Sequence, residues 1–218
     1  MFTTDRDFLA LEPNLFRDCA TTGQRLVSAT GSIAGTTLTL AAADVDLDAA
    51  GIGAGHIVRV DETPYEVVAR LSPATLTISR LRAAPNDPVL PPSPATSKPV
   101  QIVTFRPQAA VAHDQLLRML GVEPGSTPGA PDRITEADIT NPGDLRHLEA
   151  LSTLYLIYIA AAGISIGWAD NPVWNRAQHY LQRADAERRR VQVRIDLDGD
   201  GQFDATRRPN ILHLTRAF

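Results

Sequence analysis

Leu38-Thr39-Leu40, His56-Ile57-Val58-Arg59-Val60, Tyr65-Glu66-Val67-Val68, Leu76-Thr77-Ile78-Ser79 and Val100-Gln101-Ile102-Val103 lie within residues 31–106, and each alternates apolar with polar side chains. Period two is the pattern of a strand with one face buried. Glycine, Asp-Glu-Thr-Pro and Ser-Pro separate the runs, and these residues favour tight turns. Five such strands predict a small β-barrel or sandwich. Between the fourth and fifth runs, Pro85, Pro88, Pro91, Pro92, Pro94 and Pro99 force an extended, non-helical excursion.

On both sides of this region the period changes. Residues 5–28 place Leu9, Leu11, Leu15 and Phe16 around Glu12-Pro13-Asn14, which reads as a short helical lead broken by proline. After Pro107, Val111, Leu116, Leu117 and Leu120 recur on or near one helical face, and Gly121 supplies a stop. Residues 123–131, rich in proline and glycine, read as a mobile loop. Asn141-Pro142 and Asp170-Asn171-Pro172 each combine a capping residue with proline at the first helical position. They predict helices over about 142–162 and 173–190, paired as an antiparallel hairpin. Leu145, Leu148, Leu151, Leu154, Tyr155 and Tyr158 on the first are expected to meet Trp174, Ala177, Tyr180, Leu181 and Ala184 on the second. Gln178, Gln182, Asp185, Glu187 and Arg188 leave the other side of the second helix polar, suited to solvent or a subunit contact.

The last thirty residues return to period two. Val191-Gln192-Val193-Arg194-Ile195 runs into Asp196-Leu197-Asp198-Gly199-Asp200-Gly201-Gln202-Phe203-Asp204, and Ile211-Leu212-His213-Leu214 is read as the returning strand. Asp196, Asp198, Asp200 and Asp204 occupy positions 1, 3, 5 and 9 of a calcium-loop pattern, with Gly201 at position 6. Position 12 is Arg207 instead of a bidentate glutamate and neither flank reads as a helix, which argues against an EF-hand. These four aspartates are the candidate metal ligands, and calcium is the one candidate cofactor. The competing reading gives Asp and Gly purely conformational roles in a turn.

A chain of 218 residues with 44% hydrophobic and 21% charged content is an ordinary globular composition. Its net charge of −4 argues against free nucleic acid as a ligand. Arg188-Arg189-Arg190 and Arg207-Arg208 are the basic runs, and the first suits the last turn of a helix. A single cysteine, Cys19, excludes an intrachain disulfide and reads as a small buried thiol. The first residues have no basic segment followed by an apolar one, so no signal peptide is expected. Residues 150–169 are uncharged, yet Ser152, Thr153, Gly163, Ser165 and Gly167 and the lack of basic asymmetry favour a buried helix over a membrane span.

No catalytic constellation emerges. His56, His113, His147, His179 and His213 fall in five different elements without a metal-binding spacing. His113-Asp114 and His147-x-Glu149 read as ordinary helical neighbours, and Gly51-Ile52-Gly53-Ala54-Gly55 precedes a strand, so it cannot present phosphate to a helix N-terminus. Nucleophile-elbow, P-loop and C-x-x-C motifs are missing. The weight moves from enzyme to structural or binding protein.

The helical lead, the Asn141-Pro142-Gly143-Asp144-Leu145-Arg146 helix start, the polar second helix and its Arg/Glu tract are followed by Arg194-Ile195-Asp196-Leu197-Asp198-Gly199-Asp200-Gly201, Arg207-Arg208 and Leu214-Thr215-Arg216. This order resembles the head-tail connector, or adaptor, proteins of tailed bacteriophages and related particles. The resemblance covers about residues 5–28 and 107–218, and the β region departs from it. It implies an α+β chain in which a helical bundle of connector type, residues 1–30 and 107–218 with a C-terminal β-hairpin, carries residues 31–106 as an inserted small β-barrel or sandwich. It further implies a structural virion protein at the head-tail junction, assembled in the host cytoplasm. Such a protein forms a dodecameric ring, contacts the portal and the neck or tail completion proteins, and lets DNA through its lumen without specific binding or any membrane contact. Two other classes stay open: a calcium-stabilised extracellular β-rich binding module, and an enzyme with a novel site.

Overall fold

Strand β1 (Gln24–Ala34) slips register twice, between Arg25 and Val27 and between Gly31 and Ile33. Such bulges bend a strand and strengthen its twist, and the bend lets β1 pair along one side with β2 (Thr37–Ala41) and along the other with β6 (Ala95–Thr104). With β3 (Ile57–Val60), β4 (Thr63–Ser72) and β5 (Thr75–Ser79), the antiparallel order β1-β2-β5-β4-β3-β6 closes on itself as a six-stranded barrel. Closure removes every free edge. Val27, Leu38, Val58, Leu76, Ile78 and Ile102 are fully buried inside it, each stabilising by about 1.5–3 kcal/mol relative to exposure. The β3–β4 turn uses Asp61 and Glu62, both at positive φ (48° and 73°), the conformation that a two-residue hairpin turn demands.

Gly31 sits where β1 bends. A Cβ there would lie 2.9 Å from Val100 Cγ2 and 3.1 Å from both Leu38 Cδ1 and the Thr39 carbonyl oxygen. Gly31→Ala is therefore expected to destabilise the barrel by about 1–3 kcal/mol through overpacking. Denaturant unfolding checks this, and an unchanged or raised midpoint would show that the wall yields.

The computed structural model describes residues 1–125, 134–164 and 171–209 and divides into two units, Thr4–Pro107 and Met1–Thr3 with Gln108–Phe218. The barrel unit includes α1 (Asp5–Leu11) and α2 (Leu15–Asp18). Phe8, Leu15 and Phe16 are fully buried, and the Phe16 ring meets Phe105 at 5.1 Å. Thr4 and Asp7 form a capping box at the start of α1. Asp5 accepts the Phe105 amide at 2.9 Å, and its burial pushes the carboxyl above its usual range. On β4, Glu66 is fully buried and accepts Arg6 Nε at 2.7 Å and Arg82 Nε on its other oxygen. The guanidiniums are in turn tied to backbone: Arg6 donates to the Arg82 carbonyl at 2.5 Å and Arg82 to the Asp87 carbonyl at 2.8 Å.

The second unit holds α3 from Gln108 onward (Arg106–Met119 in full), α4 (Pro142–Ile164), α5 (Pro172–Arg188) and a two-stranded sheet of β7 (Val193–Ile195) and β8 (Ala205–Arg207). Asn171 caps α5 by accepting the Val173 amide at 2.9 Å, with proline at the first turn. Helices α4 and α5 run antiparallel: Tyr158 stacks on Tyr180 at 5.6 Å with Arg176 over its ring, while Leu148 and Ser152 lie beside Ala184 and Arg188.

A helical bundle of connector type is not what the chain forms. The protein is a small α+β protein with a closed six-stranded antiparallel barrel and, among the described residues, five α-helices. Of residues 1–30, expected with the helical part, Met1–Thr3 group with it and those from Thr4 onward supply α1, α2 and the start of β1 to the barrel unit. The strand outside the five period-two runs is β1, where the apolar residues Leu26 and Val27 are consecutive and the register slips between Arg25 and Val27. No helix among the described residues is long and apolar enough to cross a membrane. Residues 126–133 of the proline- and glycine-rich link and the proposed return strand at 211–214 lie outside the described residues.

Candidate functional site

The acidic loop joins β7 to β8, so the hairpin closes at Ala205–Arg207, earlier than the sequence pattern placed its return. Its base is sewn to the start of α4. The Asn141 carboxamide accepts the Arg194 amide at 2.7 Å and donates to the Gln192 carbonyl at 2.9 Å, while Thr140 N–H donates to the Arg194 carbonyl at 3.0 Å. Arg207, at the position where a calcium loop carries glutamate, turns away and donates to the carbonyls of Leu120 (2.5 Å) and Gly121 (3.2 Å).

Within the loop the carboxylates divide by role. Asp196 accepts the amides of Gly199 (2.7 Å) and Gly201 (2.8 Å), and the Gly201 bond is the chief reason its carboxyl lies below the usual range. Asp204 accepts the Leu197 amide at 2.7 Å, which ties the two arms together. Asp198 accepts the Asp200 amide, which favours ionisation, but desolvation and the charges of Asp200, Asp204 and Asp196 outweigh that bond and raise it. Oxygens of Asp196, Asp198 and Asp204 lie within 4.8 Å of one another and could share a cation. Asp200 stands outside the trio and accepts the Gln202 amide at 2.7 Å. Three carboxylates without the bidentate glutamate make a sparse set for calcium, which takes six to eight oxygens.

The two kinds of aspartate predict opposite responses. Asp196→Ala removes two backbone partners and should lower the thermal midpoint. Asp198→Asn keeps an acceptor while removing a repelled charge, and should hold or raise it. Thermal melts at neutral pH in chelator check both, and equal losses would contradict the division.

Two further features share the unit with the hairpin. On α4, the fully buried Glu149 accepts the Thr3 amide (2.9 Å), Thr3 Oγ1 (2.5 Å), the Phe2 amide (3.1 Å) and His113 Nδ1 (2.7 Å). His113 Nε2 reaches Glu136 at 3.1 Å, and Phe2 packs edge-on against the imidazole at 4.8 Å. Burial opposes the charge on His113, but the bonds and charge of Glu149 with the Glu136 bond prevail, so its pKa is raised. Burial likewise opposes ionisation of Glu149, but His113, Thr3 and Phe2 together hold its pKa down. Every acceptor faces a donor from this chain, so the cluster is built to hold an ion pair.

The other feature is a groove of about 390 Å³ between α3, α4 and α5, lined by Leu148, Tyr155, Leu156 and Leu181 together with Arg118 and Arg188. Asp185 pairs with Arg188 at 3.1 Å. Tyr155 and Leu181, expected to complete the helix-pair core, are only half-buried and line this opening.

Among the other residues the sequence singled out, His56 bonds the Gly53 backbone within the glycine turn, His179 packs against the Tyr180 ring, and Cys19 is buried. His213 lies outside the described residues. Comparison with protein-family models, curated proteins and solved structures finds no match.

Proposed function

We propose that this chain is a structural virion protein, a head-tail adaptor that forms a ring between the portal and the tail or neck and lets DNA pass without binding it. The observation that carries this reading is the terminal hairpin. It is braced by its own carboxylates, anchored by Asn141 and Arg207, and it projects Leu197 and Phe203, which are 57% and 53% exposed. A braced projection tipped with exposed apolar groups suits subunit contact, and the order of elements around it carries the resemblance to adaptors. The net charge of −4 suits a channel through which phosphate must slide. The reading does not depend on a connector-type bundle.

The test is composition and position. In particles purified from the genome that encodes the chain, mass spectrometry should find it in ring stoichiometry and imaging should place it at the neck. Deletion of residues 211–218 should spare folding and abolish attachment to portal-bearing heads. Absence from purified particles ends the adaptor reading. The second reading, a calcium-stabilised extracellular β-rich module, is favoured by the convergence of Asp196, Asp198 and Asp204. It requires calcium to produce a large thermal shift.

A further inference from the structure

Resting on the ring reading, we infer that the hairpin tip of one copy docks in the α3–α4–α5 groove of the next. The two surfaces are complementary in kind. The tip offers Leu197 and Phe203 within a loop that carries Asp196, Asp198, Asp200 and Asp204. The groove is lined by the apolar side chains of Leu148, Tyr155, Leu156 and Leu181 together with Arg118, Arg188 and Asp185. Arg118 is exposed and pairs with no carboxylate among the described residues, whereas Arg188 shares Asp185. The groove's volume of about 390 Å³ lies at the lower end of ligand-sized pockets and suits a pair of apolar side chains.

The tip does not serve the groove of its own copy. Arg207 pins the base of the hairpin to the carbonyls of Leu120 and Gly121, directly after the lining residues Arg118 and Met119, and no residue of the loop lines the groove. Donor and acceptor are thus two different patches fixed on one unit. A contact between unlike patches repeats head to tail, and it closes as a ring where the rotation permits. Carboxylates meeting guanidiniums set the register and speed encounter, while Leu197 and Phe203 supply the buried area. Phe203 already carries Arg194 over its ring at 5.2 Å, which presents the ring on a braced support.

Disulfide trapping between full-length copies tests the contact. Copies bearing Gln202→Cys, an exposed loop position beside Phe203, are mixed with copies bearing Ser152→Cys, a groove residue, under mild oxidation; Cys19 is buried and stays out of the reaction. The expected result is a mixed dimer formed at least tenfold faster than with Leu71→Cys, an exposed position on the barrel. Adding Arg118→Glu and Arg188→Glu to the groove copy should abolish that advantage, and Asp198→Lys with Asp200→Lys in the tip copy should restore it. Circular dichroism of each variant verifies folding. Trapping no faster than the barrel control, or trapping indifferent to the charge reversals, overturns the docking mode. Rings that still assemble on heads from Leu197→Asp/Phe203→Asp protein overturn it too and leave the adaptor reading standing. Absence of the native chain from particles sinks that reading instead.

Discussion

Glu66→Gln is expected to destabilise the barrel unit by about 3–5 kcal/mol, because it leaves two buried guanidiniums without their shared anion. The side chains of Arg6, Arg82 and Glu66 are 9%, 7% and 1% exposed, so water cannot replace the lost partner. Arg82→Met should cost less, since Glu66 then keeps Arg6, and the gap between the two variants measures the second cation's claim on the carboxylate. Replacing all three by apolar residues of similar volume should recover most of the loss, because the desolvation of every charge is then removed together. Denaturant unfolding followed by a barrel-specific probe reads the effect. A loss below about 1 kcal/mol for Glu66→Gln would mean that the cluster is hydrated in solution.

The second large effect belongs to His113 and Glu149. His113→Leu should cost the helical unit about 3–5 kcal/mol in weakly acidic solution by stranding a buried carboxylate. The pH dependence has two limbs. With its pKa raised, His113 stabilises fully below its ordinary value near 6.5, and that contribution is lost as pH rises through the folded value. With its pKa lowered, Glu149 stabilises fully above its ordinary value near 4.5, and that contribution is lost as pH falls through the folded value. The helical unit should therefore be most stable in weakly acidic solution. His113→Gln should flatten the alkaline limb and leave an acid one. Helical circular dichroism melts across pH check this, and an unaltered alkaline limb would assign the dependence elsewhere.

Local chemistry made some of the fold legible and long-range chemistry hid the rest. Asn141-Pro142 and Asn171-Pro172 mark helix starts within a residue of where α4 and α5 begin, because capping and proline geometry act over one turn. Four of the five alternating runs fall wholly within strands and the fifth, 56–60, nearly so, because a buried face imposes its period on each strand. Glu66 shows the limit. Tyr65, Glu66 and Val67 are all buried ahead of a bulge, so the strand breaks its own alternation where it receives two arginines from afar. His113 and Glu149 were each visible as helical residues, but nothing local joins positions thirty-six apart. The acidic loop was visible as a motif, while the withdrawal of Asp200 from the trio and the turning away of Arg207 are tertiary facts. Bundle and insertion were inferred from element order, and order does not say that α1 and α2 are spent on the barrel.

Phe2 and Thr3 bond to Glu149, whereas everything from Thr4 to Pro107 folds within its own unit. Phe2 and Thr3 thus belong to a unit whose other part follows the whole barrel in the chain. A nascent chain can close the barrel soon after Pro107 leaves the ribosome, while Phe2 and Thr3 wait for α4 to be synthesised. Amide exchange on stalled nascent chains should show a protected barrel with Phe2 and Thr3 open until Glu149 has emerged. Phe2 and Thr3 would then become ordered after the barrel that follows them in the chain.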